Sequence, residues 1–427
     1  MPHSSPKPVS TIHDLRTLRI LFWVCWIVYF MAYIGRLNYS ASMVEIGVDT
    51  GFSKSQLGLV STVLFVSYGA GQLFSGLIGD YVSPRLLVFI GTVGSALCNL
   101  FVGTSGSFLL LVLCWGLNGI FQSLIWSPMV RIFSLYMPSD FLYRACINIQ
   151  SSCSLGNCSA YLISSCVIVL SGWRMIFLLT CILLLAAAIL WEIVIRRVER
   201  LAKEEGRPPE PAENVQAEKP QEQAFRPISG KAYFLSSGMV FMIFAVIAMG
   251  ILKEGVMTWV PGYLTDVFQT GSSLAIFITA VLPLVNLIGV FVIPLMGKRF
   301  HNEVIIAGIL FFCGSLSLLG LILWGRQNLF LSLLFFSIVT SSMIGVNTAL
   351  ISLVPTYFIR FNKTSVTVGL LNSMAYIGSA ISGYGIGLLA ERAGWGAAQI
   401  IWLAVGIAGV LSCGAAAVKW DRFKRES

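Results

Sequence analysis

The sequence predicts an all-α membrane protein of twelve transmembrane helices in two six-helix halves. Three observations carry this. Apolar stretches of about 20 residues recur along the whole chain, each long enough to cross a bilayer as a helix. The 427 residues are 56% hydrophobic and only 11% charged, with a mean hydropathy of +0.83, whereas soluble domains carry about 25% charged residues. One long polar stretch, 196–231, divides the apolar runs evenly.

In chain order the helices are expected at 20–43, 57–79, 86–103, 107–131, 146–170, 175–196, 233–260, 274–297, 303–324, 329–357, 365–390 and 397–418. The opening MPHSSPKPVSTIHDLRTLR is polar and basic. It lacks a short apolar core with a small-residue cleavage site, so no cleaved signal peptide is expected. Six spans on either side of 196–231 put both termini on one face. Lys and Arg crowd the tails and loops of that face, while the opposite loops hold only Lys54, Arg174, Arg326 and Arg392. The positive-inside rule makes the crowded face cytoplasmic. The net charge of +9 therefore reports topology, and no nucleic-acid partner is expected.

Residues 196–231 are charged and rich in Pro, Glu and Gln. Such a stretch buries too little apolar surface to order itself. It reads as a cytoplasmic linker with a short helical start, between an N-terminal half (1–195) and a C-terminal half (232–427). The halves read as repeats: GLIGDYVSPR follows the second span and PLMGKRFHNE the eighth. Two such halves with a site between them near the bilayer midplane is transporter architecture.

Several chemistries are not expected. The ten cysteines fall mostly in apolar runs without a CxxC pair, and behave there as small apolar residues. Neither disulfide nor metal site follows. The histidines, His3, His13 and His301, lie outside the spans. No GxxxxGK[ST] loop or catalytic triad occurs, so neither an ATP-driven pump nor an enzyme is expected, and no cofactor.

Two cations break the apolar pattern: Arg36 in YFMAYIGRLNYSASM and Lys253 in AMGILKEGVMTWVPGYLTDVF. A cation at the centre of a spanning helix costs roughly 2.5–3.5 kcal/mol on insertion scales. The two occupy matching places in the first helix of each half. Fixed carboxylate partners are scarce, and successive helical residues do not face each other, which separates Glu254 from Lys253. The pair reads as an anion site, with Arg36 able to bind phosphate or carboxylate bidentately and Lys253 acting as a point charge. Glu254 fits two readings, a proton-coupling acid or a bond to a neighbouring helix. Gln122 and Trp126 are placed to reach the cavity, and Pro128 to bend its helix. Gly255 and Pro261 are expected to interrupt the helix that holds Lys253. Tyr29, Tyr33, Tyr68 and Tyr376 are candidate donors or packed aromatics. Asp80 and Arg85 read as a cytoplasmic charge latch or an ordinary capped loop.

Four segments carry a family resemblance: YIGRLNYSASM, GFSKSQLGLVSTVLFVSYGAGQLFSGLIGDYVSPR, GIFQSLIWSPMVRIF and LKEGVMTWVPGYLTDVF. Together they resemble the organophosphate:phosphate antiporters of the major facilitator superfamily. The resemblance implies the major facilitator fold. It also implies phosphate held between one basic residue from each half, and alternating access by rocking of the halves. It assigns the substrate site to Arg36, Tyr29, Tyr33, Tyr68, Trp126 and Tyr376. Lys253 stands where the family has arginine, Gln72 where glycerol-phosphate carriers have lysine, and Ser154 near their histidine. These departures disfavour glycerol-3-phosphate and leave a hexose phosphate, another organophosphate or a non-phosphorylated organic anion.

The expected activity is exchange of an organophosphate for inorganic phosphate by a monomer in a lipid bilayer, a bacterial inner membrane. Two alternatives stand beside it. One is a proton-coupled organic-anion symporter using Glu254, against which Gly35 counts, since such carriers often place an acid just before the arginine. The other is a sugar-phosphate sensor that binds without transporting.

Overall fold

In the computed structural model, the described residues are 12, 14–78, 82–205, 232–297, 299–361 and 363–426. They contain helices and no strand. Seven helices precede the stretch 206–231: α1 (Leu15–Thr50), α2 (Lys54–Ile78), α3 (Pro84–Thr104), α4 (Phe108–Tyr136), α5 (Ser139–Asn148), α6 (Gln150–Ser171) and α7 (Trp173–Glu205). Six follow it: α8 (Met239–Phe268), α9 (Ser272–Thr279), α10 (Val281–Gly297), α11 (Glu303–Trp324), α12 (Leu329–Asn347) and α13 (Thr364–Glu426). Among the described residues nine helices are long and apolar enough to cross a membrane. The last, α13, is two helices joined at Gly394.

Some boundaries differ from the expected ones for identifiable reasons. The helix expected at 274–297 is broken at Ala280, where the ring of Pro283 opposes the carbonyl four residues back. The helix expected at 329–357 is α-helical only to Asn347. It continues as a π turn (Thr348–Leu353) and a 3-10 stretch (Val354–Phe361) around Pro355. The sixth expected span runs on as α7 to Glu205, ten residues into the expected linker.

The expected interruption of α8 is not there. Its α-helix runs unbroken through Gly255 and Pro261. Proline 261 has no N–H, which frees the carbonyl of Met257. Tyr161 on α6 donates its hydroxyl to that carbonyl at 2.9 Å, so the helix need not bend to satisfy it.

Internal repetition is visible in local chemistry. Gly172 (φ 78, ψ 171) and Gly394 (φ 76, ψ 173) share a conformation open in practice only to glycine. Each precedes a tryptophan. Trp173 donates its indole N–H to Asp49 at 3.0 Å, and Trp395 donates to Asp266 at 2.8 Å. Asp49 and Asp266 are separated by the same offset as Arg36 and Lys253.

The two sets of helices are pinned together at one end, that of the Gly51 and Gly172 turns. Lys54 pairs with Asp266 at 2.5 Å. The backbone N–H of Ser55 donates to Glu391 at 2.9 Å, and Ser272 donates to Glu45. Ser165 donates to the carbonyl of Ser273 at 2.8 Å. Just below, α2 and α13 touch backbone to backbone. Thr62 donates to the carbonyl of Ala380 at 2.7 Å and accepts from the N–H of Tyr384 at 2.9 Å. A Cβ on Gly383 would stand 2.7 Å from Thr62 Oγ1 and 3.0 Å from the carbonyl of Gly58. At the opposite end the described polar contacts stay within one set. Arg85 pairs with Glu192 and Glu199, and Glu303 accepts from Trp420, Tyr357 and Lys424.

Gly383→Leu is expected to cost about 1–3 kcal/mol by overpacking this contact, seen as a lower thermal unfolding midpoint in detergent. Gly385→Leu, where a Cβ would meet nothing within 4 Å, should leave the midpoint in place.

Candidate functional site

Arg36 lies at the middle of α1 and is 8% exposed. Its place is set by side-chain amides behind it. Gln122 donates to the carbonyl of Ala32 at 2.9 Å, and Asn118 to that of Gly35 at 3.1 Å. Asn99 reaches the same Gly35 carbonyl at 3.4 Å, and Ser95 links Asn118 and Gln122. Helix carbonyls have a second lone pair, so these bonds add to the helical ones. They grip the turn of α1 that carries Arg36. Gln122, expected to reach the cavity, is instead 5% exposed and spent on this grip.

No described carboxylate lies within ion-pair distance of Arg36, and its guanidinium donates no hydrogen bond to a described residue. It faces rings instead: Tyr68 at 4.4 Å, Tyr376 at 5.5 Å and Phe65 at 5.7 Å from guanidinium carbon to ring centroid. Tyr68 comes from α2 and Tyr376 from α13, and their centroids are 4.7 Å apart. Cation–π contacts contribute about 0.5–2 kcal/mol each. They soften the burial of the charge without neutralising it.

Lys253 does have a partner. Its Nζ is 3.1 Å from Glu254 Oε1. This corrects the expectation that neighbours on a helix stay apart. Their Cα–Cβ directions do diverge, but both side chains are long, and no other carboxylate is described nearby. They fold together over the helix surface. Both sit in the middle of α8, yet their side chains keep 28% and 20% exposure, so they face an open space within the bundle.

Arg36 and Glu254 line one small cavity toward the pinned end, together with Ser40, Ser61, Tyr161 and Thr258. Its water-accessible space is about 20 Å³, enough for about one water molecule. The hydroxyl of Ser61 has no protein partner there. An organophosphate does not fit on this side of Arg36.

On the other side stands an aromatic wall. Tyr29 stacks on Trp126 at 4.9 Å and meets Tyr33 edge-on at 5.1 Å. The hydroxyls of both tyrosines turn to Cys153 on α6. Tyr33, Trp126 and Cys153 remain partly exposed. Ser154, the expected site residue, is half-buried beside Cys153, and it is Cys153 that meets the tyrosines. Gln72, on α2, is also half-buried and its Nε2 has no partner. Cys153 and Tyr161 were not singled out from the sequence: a cysteine in an apolar run and a lone tyrosine carry no pattern.

Of the expected latch, Arg85 is among the described residues. Arg85 forms a bidentate pair with Glu192 (2.5 and 3.0 Å) and reaches Glu199 at 2.8 Å. Both glutamates are on α7, so Arg85 ties α3 to α7 and does not bridge the two sets. Asp80 lies outside the described residues. Among the described residues no cluster of His, Cys, Asp and Glu fits a metal ion.

This architecture belongs to a known class. The chain is a member of the Major Facilitator Superfamily, whose family model matches residues 25–383. It is 26% identical over 422 residues to the probable hexose phosphate transport protein of Chlamydia trachomatis, covering 92% of this chain and 89% of that one. It is 21% identical over 401 residues to the membrane sensor protein UhpC of Salmonella typhimurium, covering 90% and 88%. The resemblance to organophosphate:phosphate antiporters holds for these whole-chain relatives. Among solved structures, a bacterial homologue of the human lysosomal transporter Spinster superimposes with a TM-score of 0.69, over 96% of this chain and 98% of that one, at 14% identity. That likeness concerns the fold.

Lys54 and Asp266 are about one-third exposed, so their pair contributes on the order of 0.2–1 kcal/mol. Asp266→Asn should loosen the pinned end without unfolding the protein. Spin labels at Gly51 and Gln269 are expected to report a broader, longer distance distribution in that variant.

Proposed function

We propose that the protein is a secondary transporter that exchanges an organophosphate for inorganic phosphate by alternating access. The observation that carries this reading is Arg36: a buried cation at the meeting point of both helix sets, with no described carboxylate partner. A bound phosphate would supply the missing charge, and the bidentate geometry of guanidinium suits it. The open side of Arg36 holds Lys253, Gln72, Tyr29, Tyr33, Trp126 and the Cys153–Ser154 turn, a polar and aromatic surface fit for the organic part. The hexose phosphate transport relative supports this substrate class.

Counting the two arms of α13 separately, and adding α2 and the α9–α10 pair to the apolar helices, gives twelve spans in two six-helix halves. The halves are 1–195 and 232–427, joined by a cytoplasmic linker. The pinned end carries the lysine- and arginine-poor loops. It is then the outer face, and the described arrangement opens to the cytoplasm. A monomer in a bacterial inner membrane satisfies the site, because one chain supplies both sets of helices.

The sensor reading is favoured by one observation, the relation to UhpC along nearly the whole chain. Proton coupling is favoured by Glu254, which reaches the small closed cavity and pairs with Lys253 on the open side.

Counterflow in proteoliposomes tests the proposal. Labelled phosphate should enter vesicles loaded with unlabelled phosphate and not enter empty ones, with or without a pH gradient. Binding without entry would establish the sensor, and entry driven by the gradient alone would establish the symporter. Arg36→Ala should remove phosphate binding and counterflow by at least 100-fold while the protein still inserts. A variant that binds normally overturns the role given to Arg36.

A further inference from the structure

We infer that the site is matched to a singly charged anion, and that Glu254 sets this limit. The inference rests on the anion-binding reading above. Three formal charges meet between the helix sets: Arg36, Lys253 and Glu254. Lys253 and Glu254 compensate each other at 3.1 Å, which leaves one net positive charge. The remaining groups facing them are the hydroxyls of Tyr33 of α1, Tyr68 of α2, Tyr161 of α6 and Tyr376 of α13 and the thiol of Cys153 of α6, with no further carboxylate or amine among the described residues. The packed helices α9 and α12 bring no titratable side chain at all.

A monoanion bound at Arg36 makes the assembly neutral. A dianion leaves it with one net negative charge, inside a bundle that must close over it in hydrocarbon. Without Glu254 the two cations would balance a dianion. This chain therefore differs from a simple two-cation clamp by one built-in carboxylate. Phosphate monoesters lose their second proton near pH 6, so both charge forms exist at physiological pH. The site takes the protonated one.

The test is equilibrium binding of a labelled hexose 6-phosphate to the purified protein between pH 5 and 8. An unlabelled hexose 6-sulfate, a fixed monoanion of similar shape, serves as competitor. In the unaltered protein, the apparent Kd for total hexose phosphate should rise about tenfold per pH unit above 6, following the loss of the monoanion. The Kd derived for the sulfate should stay within about twofold. Glu254→Gln should flatten or reverse the phosphate profile. A phosphate Kd that is flat or falls with pH in the unaltered protein overturns the inference, whether or not the variant folds. Absence of binding at every pH overturns it together with the site. Binding is read without transport, so failure of exchange in counterflow would leave this result standing on its own.

Discussion

The structure depends on one charge that the described protein does not neutralise. Arg36 is held in the middle of the bundle by amide side chains of α3 and α4, which grip the carbonyls of Ala32 and Gly35. Its guanidinium is aimed away from that grip, at the rings of Tyr68 and Tyr376. Those rings belong to helices on opposite sides of the polar stretch 206–231. Both sets of helices therefore share the burial of one cation, and neither can withdraw without changing its surroundings. A ligand at Arg36 acts on the contact between the sets because the contact is built around it.

The pinned end shows how the repeated halves diverge. Asp49 accepts from Trp173 and from Arg174 of its own set at 2.7 Å. Asp266 accepts from Trp395 in the same way, but the residue after Trp395 is Gly396. With no arginine beside it, Asp266 takes its cation from Lys54 across the interface. One arginine-to-glycine difference between equivalent positions turns an internal brace into a bridge between sets. At the other end the Arg85–Glu192 and Glu303–Lys424 pairs both stay internal.

Much of this was legible in the sequence, because hydropathy and charge patterning are local. The apolar runs located the helices, and Arg36 and Lys253 stood out as cations that the bilayer penalises. What could not be read were pairings set by tertiary geometry. Pro261 looked like an interruption because Tyr161, which satisfies the carbonyl it frees, is remote in sequence. Gln122 looked like a cavity residue because its spacing does not reveal that it turns to Ala32. Asp80 was the acid close to Arg85 in sequence, and nothing local reveals that Glu192 and Glu199 of α7 also meet Arg85. Lys253 and Glu254 show the limit of a helical wheel, which gives the direction of Cβ and not the reach of a long side chain.

The polar contacts that join the sets toward the pinned end have a common property. They are made of groups that water can serve equally well: an ammonium and a carboxylate, hydroxyls, a backbone N–H, and the carbonyl freed by Pro261. A hydrogen bond exchanged for water changes stability by only about 1 kcal/mol, and an exposed ion pair by less. Apolar packing at the same place would be far costlier to separate, at roughly 25 cal/mol per Å² newly wetted. The glycines and Thr62 at the contact of α2 with α13 bring backbone polar groups together there. A carrier that alternates needs two arrangements close in free energy, so that a ligand's modest preference can shift the population. Polar ties over close backbones meet that need. They specify the closed end sharply by geometry and are themselves cheap to hydrate, which leaves the charge at Arg36 to bias the equilibrium.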